Sequence, residues 1–184
     1  MSDPLPREIR CVLVPVGNLR LLLPNATIAE VITHTDPEPV PEAPSWLLGR
    51  IAWRGWRVPL VSFSRLAGAE DGDAELSVRV AVLKALGGDS RLPFVAIITQ
   101  GFPRLTTLNS ELIIPTHDGK ALPEGVRAHV LVRDDEAVIP DLEWIERTVL
   151  QLLDAAGLAS EAEVSVDEGA GEVAANDEDA AASQ

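Results

Sequence analysis

GRIAWRGWRVPLVSF, residues Gly49–Phe63, places three arginines and two tryptophans in a run that otherwise reads as two apolar strands. Gly49, Ile51 and Trp53 alternate with Arg50, Ala52 and Arg54, the period-two pattern of a half-buried strand. Gly55 suits the left-handed position of a short hairpin loop with a bulge. Pro59, in the return strand, has no N–H for a ladder, which predicts an edge strand or a bulge there. Managed edges are common docking points. Burial statistics turn Trp53 inward. Trp56, at the loop exit, is harder to bury, and a tryptophan flanked by Arg54 and Arg57 has the composition of a binding hot spot. The competing reading of each arginine is a solvated face.

On either side of this hairpin, short Val-, Ile- and Leu-rich segments recur between Pro, Gly and Asp. The pattern predicts strands over Glu8–Val16, Leu19–Pro24, Trp46–Trp53, Trp56–Val61, Leu76–Leu86, Pro93–Gln100, Thr107–Ile114, Val126–Val132 and Ala137–Ile139. Strands of this length point to an all-β barrel or sandwich. One long helix is expected in PDLEWIERTVLQLLDAAGL, where Leu142, Ile145, Val149, Leu152, Leu153 and Ala156 share a stripe of helical period. Pro140 and Asp141 suit its start and Gly157 its end. Helical turns are expected at Ala26–Ile32 and Ser62–Ala67. Residues Ala67–Glu75 read as the boundary between two halves, and the four prolines of Thr33–Ser45 as an extended loop.

The 184 residues carry a net charge of −14, from 15 basic and 29 acidic side chains. Eight of those acids, and no Lys or Arg, lie in residues 160–184, leaving 21 acids against 15 bases, a net of −6, in residues 1–159. The acidic, Ala- and Gly-rich tail cannot bury enough surface to offset its ordering entropy and is expected to be disordered. The body is itself acidic, which disfavours nucleic acid as a partner; the alternative function is that of a β-barrel binding single strands through Trp and Arg. Cys11 is the only cysteine, so no internal disulfide forms, and in IRCVLVPV it reads as a small buried hydrophobe. The N-terminus lacks a signal-peptide h-region and no apolar run could span a bilayer, so a cytoplasmic protein with no membrane insertion is expected.

Catalytic and ligand motifs are missing from the chain. His34, His117 and His129 lack metal-ligand spacing, and no second cysteine completes a zinc site. LGGD, Leu86–Asp89, lacks the Gly-Lys-Ser/Thr of a phosphate loop. No Gly-x-Ser-x-Gly elbow occurs. Neither an enzyme nor a cofactor or metal is expected.

PEAPSWLLGRIAWRGWRVPLVSFSRLAG, Pro41–Gly68, resembles the CheW-like domain of bacterial chemosensory adaptors. That family has Gly-x-Ile-Asn-x-Arg-Gly followed by a Val/Ile-Pro-Val/Leu strand, matched here by Gly49, Ile51, Arg54, Gly55, Val58, Pro59, Leu60 and Val61. LLLPNATIAEVI, FVAIITQGFPRLTTL and AHVLVRDDEAVIPDLEWI are similar to its remaining segments, so the resemblance covers residues 8–153. The chain departs at Ala52, where the family has Asn, at Ser62-Phe63 in place of Asp-Leu, and at Trp56 and Arg57. The opening is similar to the ChpC type attached to the type IV pilus, or twitching-motility, system. The resemblance implies two intertwined five-stranded SH3-like barrels over residues 1–159. It also implies a non-enzymatic adaptor between the cytoplasmic tip of a chemoreceptor and a CheA-like histidine kinase. Arg50, Arg54, Trp56, Arg57 and Val58 are then the candidate partner-binding residues.

A chain ending at Ala159 should keep its Tm within about 2 °C of the full chain by calorimetry, because the tail has almost nothing to bury. A fall of about 10 °C would show that the tail docks on the body.

Overall fold

Alternating apolar residues dominate the folded chain, a computed structural model that describes residues 8–69, 77–116 and 119–159. The tail expected to be disordered, and His117, lie outside the described residues. The strands are β1 (Ile9–Val16), β2 (Leu19–Pro24), β3 (Ile28–Thr33), β4 (Leu47–Trp53), β5 (Trp56–Val61), β6 (Val78–Lys84), β7 (Phe94–Gln100), β8 (Arg104–Leu108), β9 (Ile113–Thr116), β10 (Val126–Val132) and β11 (Asp135–Pro140). Two α-helices accompany them, α1 (Phe63–Leu66) and α2 (Leu142–Ala155). One sheet has six strands in the order β8-β1-β2-β11-β10-β9, the other five in the order β3-β6-β7-β5-β4. Each contains one parallel joint, β2–β11 and β5–β7 respectively, among antiparallel neighbours. The architecture is all-β, a pair of SH3-like barrels with a long C-terminal helix.

The two barrels are intertwined because the whole second sheet is inserted between β2 and β8 of the first. Residues Ala67–Glu75 are therefore not the boundary expected from composition, since β5 before them and β6 after them belong to one sheet. The chain changes sheets at Pro24–Ile28 and again at Gln100–Arg104.

The first sheet carries six strands rather than five, and the reason is Asn109. Its side-chain oxygen accepts from the backbone N–H groups of Glu111 and Leu112, both at 3.1 Å, and caps a 3-10 turn at Ser110–Leu112. That local bond breaks the strand expected over Thr107–Ile114 into β8 and β9. The helical turn expected at Ala26–Ile32 is confined to a 3-10 turn at Asn25–Thr27, after which the β-branched residues of β3 pair with β6. The helix α2 starts where Asp141 Oδ1 accepts from Trp144 N at 3.0 Å, while Pro140 ends β11 instead.

Period-two alternation sorts the side chains into three cores. On β1, Cys11 and Leu13 face a cluster inside the first barrel with Leu22, Leu108, Val130 and Val132. Val12, Val14 and Val16 face the opposite way, into a larger core shared with Phe63, Leu83, Ile97 and, from α2, Ile145, Val149 and Leu153. Ile51, Trp53, Val58, Leu60, Val80, Val82 and Ala96 fill the second barrel. Burial also pushes the Cys11 thiol above its ordinary value.

The Pro-rich loop straps the outer edge of β4. Glu38 exchanges two backbone hydrogen bonds with Arg50, each 2.8 Å long. Arg50 is also the residue opposite Pro59, and its own N–H and C=O are turned away to Glu38. The ladder between β4 and β5 therefore asks no N–H of Pro59, and β5 is an inner strand rather than the edge expected. The bulge lies in β4 instead, between Leu47 and Gly49.

Gly49 sits at φ +140° with the Glu38 carbonyl so close that a Cβ would lie 2.3 Å from its oxygen. Gly49→Ala should cost about 2 kcal/mol or more in urea unfolding, from backbone strain and the displaced strap. A loss under about 0.5 kcal/mol would mean that the strap moves aside freely.

Candidate protein-docking site

The tip of the β4–β5 hairpin is a two-residue turn. Trp53 and Trp56 form the closing pair, and Arg54 and Gly55 between them both have positive φ, +47° and +83°. This is the turn whose twist matches that of the strands. It has no bulge of its own, unlike the loop expected from the sequence.

Arg54 is a non-glycine residue in the left-handed region, and its side chain is held from two sides. One nitrogen lies 2.9 Å from Glu30 Oε2, and its guanidinium carbon sits 5.0 Å from the centre of the Trp53 ring. The same Glu30 oxygen accepts from Trp53 Nε1 at 2.9 Å. Glu30 is on β3 and Trp53 on β4, the two edges of the sheet, so one carboxylate bridges them. Trp53 is 9 % exposed and meets Phe94 edge to face, with centroids 4.9 Å apart. Trp56 is half-buried and reaches the same Phe94 at 6.1 Å.

The candidate residues of the sequence do not all face the same way. Arg54 is 67 % exposed and stands at the tip with Trp56. Arg57, half-buried, donates to Glu38 Oε2 at 3.1 Å. Arg50 is only 4 % exposed, with Glu38 at 3.8 Å, and Val58 is core. These two support the hairpin and present little to a partner. The surface that remains is Arg54, Trp56 and the edge of Arg57. Glu30, Glu38 and Phe94 complete it, and no local signal marks them because each comes from a strand or loop distant in sequence.

Beside Trp56 and Arg57 runs the β6–β7 loop, with Arg91, Leu92 and Pro93 against them across a shallow depression of about 10 Å³. Arg91 bonds Asp89 at 2.8 Å and Asp154 at 3.1 Å. The Arg91 guanidinium holds the Asp89 carboxyl below the usual carboxylate range, and Asp89 in turn raises Arg91.

A second surface went unmarked in the sequence reading. Phe102, on the crossover from β7 to β8, and Leu105, in β8, are 68 % and 67 % exposed, with Arg79 5.0 Å from the Phe102 ring centre. Arg104 and Arg20 (the latter at 3.1 Å) share Asp135. The available signal was FPRL itself, two large apolar residues flanking Pro-Arg. Among the described residues no group of His, Cys, Asp and Glu could hold a metal ion, and no helix is long and apolar enough to cross a membrane.

A family model described as the CheW-like domain matches residues 10–163. The chain belongs to the CheW-like domain family. In fold it is similar to the scaffolding protein TtCheW from Thermoanaerobacter tengcongensis, with a TM-score of 0.62 and 17 % identity over 77 % of this chain and 90 % of that one. No curated protein matches. In this CheW-like chain, Gly49 serves the bulge and Gly55 the turn, Ile51, Val58 and Leu60 serve the core, and the Arg54 side chain stands at the surface.

Trp53→Ala should lose about 3 kcal/mol or more of stability in denaturant unfolding, because it opens a cavity against Phe94 and removes the hydrogen bond to Glu30. Arg54→Glu should lose about 1 kcal/mol or less, since an exposed ion pair is worth little. Equal losses would mean that Trp53 is not core.

Proposed function

We propose that this CheW-like chain is a non-enzymatic adaptor in the cytoplasm, coupling the tip of a chemoreceptor to a CheA-like histidine kinase. The observation that carries the reading is the presence of two separate exposed faces on one pair of barrels that share a core. The Arg54–Trp56 tip packs on Phe94, at the start of β7, while Phe102 lies just past the end of that strand. A strand of this length separates them by about 20 Å. An adaptor needs such a pair of faces, and a shared core keeps their spacing fixed.

In this reading the tip docks the kinase and the Phe102–Leu105 face docks the receptor. The mechanism is geometric, because a rigid body holding both partners converts a small receptor displacement into a displacement of the kinase. The ion pairing of Arg54 and Arg57 with Glu30 and Glu38 counts against the nucleic-acid alternative, since it offers a phosphate backbone little net charge. The resemblance of the N-terminal segment to the ChpC type supports service in a type IV pilus system. In that case deletion of the gene should impair twitching and leave flagellar swimming intact.

Arg54→Glu and Trp56→Ala should each weaken binding to the CheA-like kinase of the same cell about thirtyfold, roughly 2 kcal/mol, with the fold intact by circular dichroism. If both bind like wild type, the tip is scaffolding and not a docking site.

A further inference from the structure

Ala85–Pro93 joins β6 to β7 with no helix or strand of its own, and by length alone it should move. It is instead tied to helix α2 at two points. Glu146 is 7 % exposed, and its two carboxylate oxygens accept from Leu86 N at 2.7 Å and Gly87 N at 2.6 Å. A Cβ at residue 87 would meet Glu146 Oε2 at 2.9 Å, so glycine is what lets the carboxylate reach both N–H groups. The second tie is Arg91 to Asp154, also on α2. A buried carboxylate held by two backbone donors is a directional anchor, far stiffer than an exposed ion pair.

At its other end the loop touches the tip. Arg91, Leu92 and Pro93 wall the depression beside Trp56, and the next residue is Phe94, whose ring takes the edges of both Trp53 and Trp56. Trp56 therefore leans on the loop, and the loop leans on Glu146. The half-buried Trp56 opens β5 at the exposed turn, packed on the second-barrel core on one side and beside the loop on the other.

We propose that Glu146 is a positioning residue for the docking tip: through Leu86, Gly87 and the β6–β7 loop, helix α2 sets the orientation of Trp56. This rests on the tip being the docking face. Glu146 touches no partner; it acts by removing alternative placements of the loop, and so by lowering the ordering cost that binding would otherwise carry.

Two variants perturb the same contact from opposite sides. Glu146→Gln keeps the size but turns a donor toward an N–H, and Gly87→Ala pushes the carboxylate away. Both are measured at a temperature where the protein is fully folded, by near-ultraviolet circular dichroism of the tryptophans and by affinity for the full-length CheA-like kinase. Leu22→Ala, in the core of the first barrel, is the control for a general loss of stability. The expected result is a loss of affinity of about fivefold or more in both variants, with a changed tryptophan signal. The control, though lower in Tm, should bind within about twofold of wild type, its cavity being confined to the first barrel. The inference is overturned if Glu146→Gln and Gly87→Ala melt lower yet bind like wild type while Arg54→Glu loses binding, or if the control loses as much. If Arg54→Glu and Trp56→Ala also bind like wild type, the docking reading itself fails and takes this inference with it.

Discussion

One carboxylate closes the second barrel. Glu30 Oε2 takes a hydrogen bond from Trp53 and an ion pair from Arg54, and so joins β3 to β4, the two ends of a five-stranded sheet. A sheet this small has unpaired edges unless something joins them. Charge-assisted bonds of this kind contribute about 1.5–3 kcal/mol when buried and less here, where Glu30 is partly exposed. Their larger effect is geometric. They place the Trp53 ring on Phe94 and hold Arg54 at the tip, so the element that closes the barrel also shapes the hairpin tip.

The same economy appears in the strap. Glu38 covers the outer edge of β4 with its backbone and gathers Arg50 and Arg57 with its side chain. That arrangement requires a glycine at position 49 and tolerates a proline at position 59. Both matched positions of the family pattern thus have a local physical cause, independent of any partner. Arg54 does not: nothing in the turn demands an arginine at positive φ. What holds the arginine there is its ion pair with Glu30 and its place against the Trp53 ring.

Rigidity between the two faces comes from β1 and α2. The strand is apolar on both sides, filling its own barrel with one face and the shared core with the other. The helix seals that shared core with Ile145, Val149 and Leu153, and with Glu146 it holds the loop beside the tip. An adaptor that transmits displacement needs this stiffness, and interiors packed at ordinary protein density supply it.

Much of this was legible in the sequence. Short apolar runs bounded by turn residues located β2, β5 and β10 to the residue, and the 3.6-residue stripe with Asp141 and Gly157 located α2, because these signals depend only on neighbours along the chain. Gly49, Ile51, Arg54, Gly55 and Pro59 carried the family. What depended on distant partners could not be read. Composition put a boundary at Ala67–Glu75, but the pairing of β5 with β7 keeps both sides in one sheet. Asn109 split a strand through a side-chain bond that apolar periodicity does not register. The family resemblance offered Arg50 and Val58 as partner-binding candidates alongside Arg54, and only the tertiary packing buried them. A side chain's direction is set by the strand it belongs to, but its exposure is set by what the rest of the chain brings against it.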